Sequence, residues 1–105
     1  MSEVVLVLST VVDDERAEVL ARMLVDERLA ACVNLHAPMA SFYRWKDQVE
    51  RDTERQMVIK TTRGALPALE ARLRQLHSYE LPELIVISVD EGSLAYLSWV
   101  ADQVG

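Results

Sequence analysis

The residue types best suited to binding chemistry lie in one short segment in the last third of the chain. His77, Glu80 and Glu83 offer an imidazole nitrogen and two carboxylates within a few positions of one another. Nitrogen and carboxylate donors bind divalent transition metals, and a loop between a helix and a strand can bring them together. We therefore predict a metal or small-anion site at this loop. The competing explanation is that His77 only caps the C-terminal end of the preceding helix.

Cys32 is a second candidate metal ligand, but it lies far upstream on a predicted strand. Cys32, Asn34 and His36 share one face of that strand. Cys32 and His36 would be roughly 13 Å apart in a straight strand, whereas ligands lie about 2.0 to 2.3 Å from a copper or zinc ion. The pair therefore cannot chelate one ion within a single chain. The favoured interpretations are a small buried cysteine and a surface histidine, and Cys32 stays a secondary ligand candidate that a neighbouring chain would have to complete.

The segment from Ala31 to Thr62 is predicted to form one long β-hairpin with its turn at Lys46-Asp47, because β-branched and aromatic residues are dense on both arms. Its first arm would span about 50 Å when extended, against a diameter of about 33 Å for a compact chain of this length. Pro38 is the expected bend. An aromatic arm at a sheet edge invites pairing with another chain, so we predict an oligomer.

The candidates for a ligand cleft or a subunit interface are Asn34, Tyr43, Trp45, Glu54 and Lys60 in the hairpin and Tyr79 in the loop. Tyr43 and Trp45 are favoured as packing anchors against a neighbouring chain, with ligand stacking as the alternative. Glu54 and Lys60 share a face of the second arm but would lie roughly 20 Å apart. They are therefore expected to face a neighbouring subunit rather than to pair with each other.

The remaining segments complete a single α+β domain over residues 1–105. Short apolar runs predict strands at Val4–Leu8 and Leu84–Ile87, buried on both faces. The predicted helices begin at Asp13 or Asp14, near Gly64 and Pro67, and at Ser93. The order strand, helix, hairpin, helix, strand, helix is typical of a split β-α-β arrangement, with an antiparallel sheet and both main helices on one face.

Composition narrows the function classes. A net charge of −6 and a pI near 4.8 argue against nucleic-acid binding. No apolar run approaches the roughly 18 residues that cross a membrane, and the N-terminal residues do not resemble a signal peptide, so a cytoplasmic location is expected.

A phosphate-binding glycine loop, a nucleophile elbow and a His-Glu-x-x-His motif are absent from the sequence. We predict that the protein is not an enzyme, and unfamiliar chemistry is the weakest hypothesis.

Several segments spread over nearly the whole chain form a specific combination: Leu29-Ala30-Ala31-Cys32-Val33-Asn34, Tyr43-Arg44-Trp45, Glu54 with Ile59-Lys60-Thr61-Thr62, His77-Ser78-Tyr79-Glu80-Leu81-Pro82-Glu83 and Tyr96-Leu97-Ser98-Trp99. Together they resemble the CutA family of divalent-cation tolerance proteins. The resemblance implies a ferredoxin-like split β-α-β sandwich with a long hairpin and an extra C-terminal helix. It also implies a homotrimer built through hairpin edges, tolerance of copper and other divalent metals, and architectural kinship with PII-type signalling trimers.

Two positions depart from the family pattern. Asp47 stands where glycine is common in the hairpin turn, and aspartate tolerates a left-handed conformation better than most residues. Ser78 replaces the usual proline after His77, which implies a less rigid loop before Tyr79.

Two functions follow as hypotheses. In the first, the protein binds copper or another divalent cation, or a small ligand, in clefts between subunits, with no cofactor required. His77, Tyr79, Glu80 and Glu83 would contribute to that site, and Cys32 would be secondary. In the alternative, the protein is a PII-like signalling or scaffolding trimer that acts on an unknown protein partner without metal.

Overall fold

The computed structural model describes residues 3–105, which form a five-stranded antiparallel sheet and three α-helices. A single 3-10 turn at Arg63–Ala65 precedes the second helix. The elements are, in chain order, β1 (Val4–Val12), α1 (Glu15–Asp26), β2 (Cys32–Leu35), β3 (Met39–Trp45), β4 (Gln48–Thr62), α2 (Leu66–Leu76), β5 (Ile85–Ser88) and α3 (Leu94–Gln103).

The strand order in the sheet is β2-β4-β1-β5, and β3 also pairs with β4, beyond the end of β2. Every pairing is antiparallel, which is the arrangement of a ferredoxin-like split β-α-β fold. The predicted fold class, including the additional C-terminal helix, is confirmed. Strand β1 runs to Val12 instead of ending at Leu8, because its second half continues to pair with β4 as far as Glu54.

The hairpin has the predicted turn and the predicted bend. Lys46 and Asp47 both adopt positive φ, 49° and 65°, as a two-residue hairpin turn requires. The first arm breaks between Leu35 and Met39, around Pro38, before pairing resumes. The longest dimension of the chain is 44 Å, against 26 and 24 Å for the other two. The outer half of the hairpin therefore projects from the domain.

One face of the sheet packs against α1 and α2. Asp14 begins α1 by accepting a hydrogen bond from the backbone N–H of Arg16 at 2.9 Å, which satisfies a free donor of the first turn. Burial of each large core side chain contributes about 2 kcal/mol. The buried cluster comprises Val5, Val7, Val11, Ala17, Leu20, Leu24, Ala30, Met57, Ile59, Leu69 and Leu73.

The opposite face is only partly covered, by α3. That helix is capped by Ser93, as predicted, and buries Val100 against Val4 and Ala31. The prediction that the last strand is buried on both faces is wrong for the single chain. Strand β5 lies at the sheet edge, and all its residues are exposed. None of the helices in residues 3–105 combines the length and apolarity needed to span a bilayer.

Candidate functional site

A cleft of about 890 Å³ lies between the projecting hairpin and the loop that joins α2 to β5. Its volume is within the range of small-molecule sites. We call it the hairpin–loop cleft. Within the single chain, its own hairpin forms the second wall; the prediction of a cleft between subunits stays a prediction. The lining residues from the hairpin and from the loop that carry polar or aromatic groups are Ser41, Phe42, Tyr43, Trp45, Asp52, Glu54, Gln56, Ser78, Tyr79, Glu80 and Glu83.

The strand period explains why acidic and aromatic side chains meet in this cleft. Successive side chains of a strand point to opposite faces of the sheet. The antiparallel register places Tyr43 opposite Glu50, Ser41 opposite Asp52 and Met39 opposite Glu54. These pairs therefore share the face of the hairpin that the loop approaches.

The charged side chains that line the cleft are all acidic among the described residues. Asp52, Glu54, Glu80 and Glu83 line it, whereas no Lys, Arg or His of the described residues does. Glu54 is only 8% exposed, although it lies on the otherwise exposed half of β4. Carboxylates grouped in a concave surface concentrate cations around themselves, so the site is electrostatically suited to a positively charged ligand.

Two of these carboxylates raise the pKa of neighbouring tyrosines. Tyr43 donates a short hydrogen bond from its hydroxyl to Oδ2 of Asp52, and this bond raises the pKa of Tyr43 to about 12. Burial, and then a hydrogen bond to Glu54, raises the pKa of Tyr79 well above its usual range. Both phenols therefore stay neutral at physiological pH, and the bond to Asp52 orients the ring of Tyr43.

Gln56 ties the loop to the sheet. Its Nε2 donates to Oε2 of Glu83 at 3.2 Å and to the carbonyl oxygen of Ser9 at 2.6 Å. The side chain is part-buried in the sheet, so the bond fixes the position of the Glu83 carboxylate relative to β4. Glu80, by contrast, is exposed.

His77 anchors the base of the loop. Its backbone N–H donates to the carbonyl oxygen of Leu73 at 2.8 Å, so His77 is the C-cap of α2, which agrees with the capping interpretation. Nδ1 accepts the backbone N–H of Tyr79 at 3.1 Å, and Nε2 lies 2.7 Å from the carbonyl oxygen of Thr10. Because Nδ1 accepts, Nε2 carries the hydrogen and donates it to Thr10. Both ring nitrogens are thus engaged within the chain.

Four predicted residues do not line the cleft: His77 at the base of the loop, and Cys32, Asn34 and Lys60, which lie elsewhere. Cys32 is half-buried on β2 opposite Lys60, and Asn34 is exposed two positions further along the same strand. Nζ of Lys60 lies 5.8 Å from the ring centroid of Tyr96 on α3. None of these residues lines the hairpin–loop cleft. In residues 3–105, no group of three or more His, Cys, Asp or Glu residues is placed to hold a metal ion.

Asp52 and Gln56 are cleft residues that are not among the predicted site residues. Both lie at even positions of β4 together with Glu54, so the two-residue period of the strand is the signal that identifies them.

Comparisons with known proteins agree with this architecture. A family model described as "CutA1 divalent ion tolerance protein" matches residues 5–103. The divalent-cation tolerance protein CutA of Thermus thermophilus is 43% identical over 105 residues, the full length of both chains. Protein CutA of Homo sapiens is 43% identical over 88 residues, 84% of this chain and 49% of that protein.

The fold comparison gives the same result. A crystal structure of CutA from Xylella fastidiosa superimposes with a TM-score of 0.94 at 41% identity, covering 99% of this chain and 100% of that one. The chain therefore belongs to the CutA family of divalent-cation tolerance proteins, as the sequence motifs implied.

Proposed function

We propose that the protein acts in divalent-cation tolerance as a homotrimer that binds copper or another divalent cation, or a small ligand, at the hairpin–loop cleft. The observation that carries the proposal is the acidic lining: four carboxylates and no basic side chain among the described residues. Such a surface attracts cations and repels anions. We assign the first metal contacts to Glu80 and Glu83, since both carboxylates line the cleft.

The other predicted metal ligands, His77 and Cys32, are not placed to bind a metal ion in the cleft of the single chain. His77 would offer Nε2 to a metal only by giving up its bond to Thr10, and Cys32 lies outside the cleft. Two carboxylates supply oxygen donors, which suit Mg²⁺, Ca²⁺ and Mn²⁺, whereas copper is favoured by imidazole or thiolate. A copper site would therefore take further donors from a second copy of the chain.

The two edge strands of the sheet are suited to contacts between subunits of the proposed trimer. The outer strand of the hairpin and strand β5 each leave one side unpaired within the chain, and both expose large apolar side chains, with Phe42 69% and Ile85 50% accessible. Unpaired edges and contiguous apolar patches are the usual marks of a subunit interface.

Calorimetric titration of the purified protein with Cu²⁺ and Mn²⁺, at constant ionic strength, tests the metal proposal. We expect one of the two ions to bind with a dissociation constant of about 1 μM or lower, and Glu80→Gln/Glu83→Gln to weaken it by about tenfold or more because two anionic donors are lost. Glu15→Gln/Glu18→Gln removes the same charge from the exposed face of α1 and should leave the affinity nearly unchanged. Equal weakening by both double variants would sink the proposal.

A metal-free PII-like signalling or scaffolding trimer is the second candidate. It is favoured by the engagement of both ring nitrogens of His77 within the chain. On this alternative, the metal-free protein recovers a stoichiometric protein partner from extract, and Glu80→Gln/Glu83→Gln recovers the same amount. Loss of the partner on chelation of metals would contradict it.

A further inference from the structure

The two faces of the projecting hairpin carry opposite charges. Acidic residues and arginines alternate along β4 in the stretch Glu50-Arg51-Asp52-Thr53-Glu54-Arg55. Successive side chains of a strand point to opposite faces of the sheet, so the three carboxylates share the face that borders the hairpin–loop cleft and the two arginines share the other face. A chain with a net charge of −6 therefore presents a locally basic surface on the far side of its hairpin.

Four residues form the exposed part of that basic surface, which we call the arginine face. The register of β3 and β4 places Phe42 opposite Arg51 and Arg44 opposite Val49, so these side chains are direct or diagonal neighbours, roughly 5 to 8 Å apart. The guanidinium carbon of Arg51 lies 5.9 Å from the centroid of the Phe42 ring. Phe42 and Val49 are 69% and 68% exposed. Phe42 also borders the cleft, since its strand neighbours on both sides line it.

The two arginines of this face have no charged partner within the part of the chain that the structure describes. The ion pairs of residues 3–105 involve other arginines. Arg55, at the base of the same face, differs because it donates to the carbonyl oxygen of His36 at 2.7 Å. Guanidinium groups bind carboxylates through two parallel hydrogen bonds. Arg44 and Arg51 therefore offer two carboxylate-binding groups next to two exposed apolar side chains.

The arginine face lies on the side of the sheet that carries α1 and α2. Odd-numbered residues of β4 share the face of Val11, which belongs to the core under these helices. Leu6 and Leu8 pair with even-numbered residues of β4, so they lie on the opposite face, which only α3 partly covers. A trimer that forms through the sheet edges and that opposite face leaves the arginine face accessible to another molecule.

We propose that the arginine face binds an acidic peptide segment of a partner protein, with carboxylates on Arg44 and Arg51 and apolar side chains on Phe42 and Val49. The inference deepens the scaffolding function, on which it rests, by naming the surface and the chemistry of the partner. Alternate side chains of an extended segment are about 7 Å apart, which matches the spacing of diagonal neighbours on the face. A nucleic acid would use the charges alone, and the acidic opposite face and the net charge repel a long polyanion.

A fluorescein-labelled peptide that repeats the sequence Glu-Ser-Leu-Ser is a suitable probe, because an extended chain presents its Glu and Leu side chains on one side. Binding is measured by fluorescence anisotropy at constant ionic strength. We expect it to be about tenfold or more tighter than the binding of matched peptides in which Lys replaces Glu or Ser replaces Leu. Equal affinity for the Glu and Lys peptides, or for single-stranded DNA of the same charge as the Glu peptide, would overturn the inference.

Variants locate the binding. Arg44→Gln/Arg51→Gln should weaken the affinity for the Glu peptide by about tenfold or more, because both carboxylate-binding groups are lost. Both residues are exposed, so the hairpin can keep its fold. Arg22→Gln/Arg74→Gln removes the same charge from exposed positions of α1 and α2 and should leave the affinity within about twofold. Equal weakening by the two double variants would mean that net charge, rather than the arginine face, attracts the peptide.

The partner recovery described above separates this inference from the scaffolding function. If the wild type and Arg44→Gln/Arg51→Gln recover the same amount of a stoichiometric partner, the arginine face is rejected and the scaffolding function stands. If the wild type binds neither a partner nor the Glu peptide, both fail. Glu80→Gln/Glu83→Gln alters the cleft on the other side of the hairpin and should leave the peptide affinity unchanged, so the metal proposal is tested independently.

Discussion

The charge state of Tyr43 in the cleft depends on the carboxylates beside it. Asp52 accepts a hydrogen bond from the hydroxyl of Tyr43. This bond requires that the phenol keeps its proton. Ionisation of the phenol would place two negative charges side by side in a region that already contains Glu50 and Glu54. The hairpin therefore favours neutral tyrosine, and this preference can be measured directly.

We predict that Tyr43 titrates near pH 12. Its pKa is raised to about 12 from the ordinary value of 10.0, first by the hydrogen bond to Asp52. A raised folded-state pKa means that the contribution of Tyr43 to stability is complete below pH 10 and is lost as the pH rises towards 12. The ultraviolet difference between the wild type and Tyr43→Phe isolates the phenolate absorbance of this residue.

Asp52→Asn should move that midpoint down towards the ordinary value, because the negative hydrogen-bond acceptor is gone. Glu50→Gln removes a charge that contributes less to the raised pKa of Tyr43 than Asp52 does, so it should leave most of the shift in place. A Tyr43 midpoint that stays near 12 in Asp52→Asn would show that the hydrogen bond is not the cause.

At the scale of elements, the predictions that succeeded rest on local signals. The Lys46-Asp47 turn lies between two strand-like arms, and Pro38 interrupts the first of them, so both features could be read from neighbouring residues. Part of the cleft lining was also predictable from sequence, because strand period and family motifs mark single positions. The predicted residues that do line the cleft are Tyr43, Trp45, Glu54, Tyr79, Glu80 and Glu83.

The features that could not be predicted depend on long-range contacts. The ring of His77 bonds to Thr10, 67 positions away in sequence, and nothing near either residue signals that contact. The exposure of β5 follows from its place at the sheet edge, whereas its apolar composition alone is equally typical of a central strand. Strand pairing places Cys32 opposite Lys60 and Asn34 opposite Val58, whereas the cleft is lined by β4 residues nearer the hairpin tip.

Asp47→Gly should stabilise the protein by about 0.5 to 1 kcal/mol, because glycine adopts the left-handed region without the steric cost that a Cβ imposes. Asp47 has φ 65°, and it is the second residue of a turn type that favours glycine there. The midpoint of chemical unfolding measures the change.

Asp47→Ala is the matched control for that substitution. It keeps the Cβ and loses the polar side chain that makes aspartate tolerant of this conformation, so it should destabilise the protein. If glycine and alanine shift the unfolding midpoint in the same direction, backbone strain at the turn does not limit stability.

At the scale of the molecule, the two faces of the sheet differ. The face under α1 and α2 holds the main core, whereas α3 covers only one end of the other face. Ile85 and Ile87 lie on this second face, because they pair with Leu8 and Leu6 in the register of β1 and β5. Leu6 and Leu8 are themselves only half-buried. An apolar sheet face of this kind is the strongest indication that the chain is one part of an assembly.

The assembly prediction is therefore tested best on that face. Light scattering of the wild type should give three times the chain mass of 11.9 kDa, and Ile87→Lys should lower it towards that of a single chain, because a buried unpaired ammonium opposes association. Ile87 is 42% exposed in the single chain, so lysine can be accommodated there without unfolding the domain. Val19→Lys, on the exposed side of α1 where the side chain is 56% accessible, should remain trimeric. A wild type with the mass of one chain would refute the trimer. Dissociation of both variants would mean that the added charge, rather than the position of Ile87, disrupts the assembly.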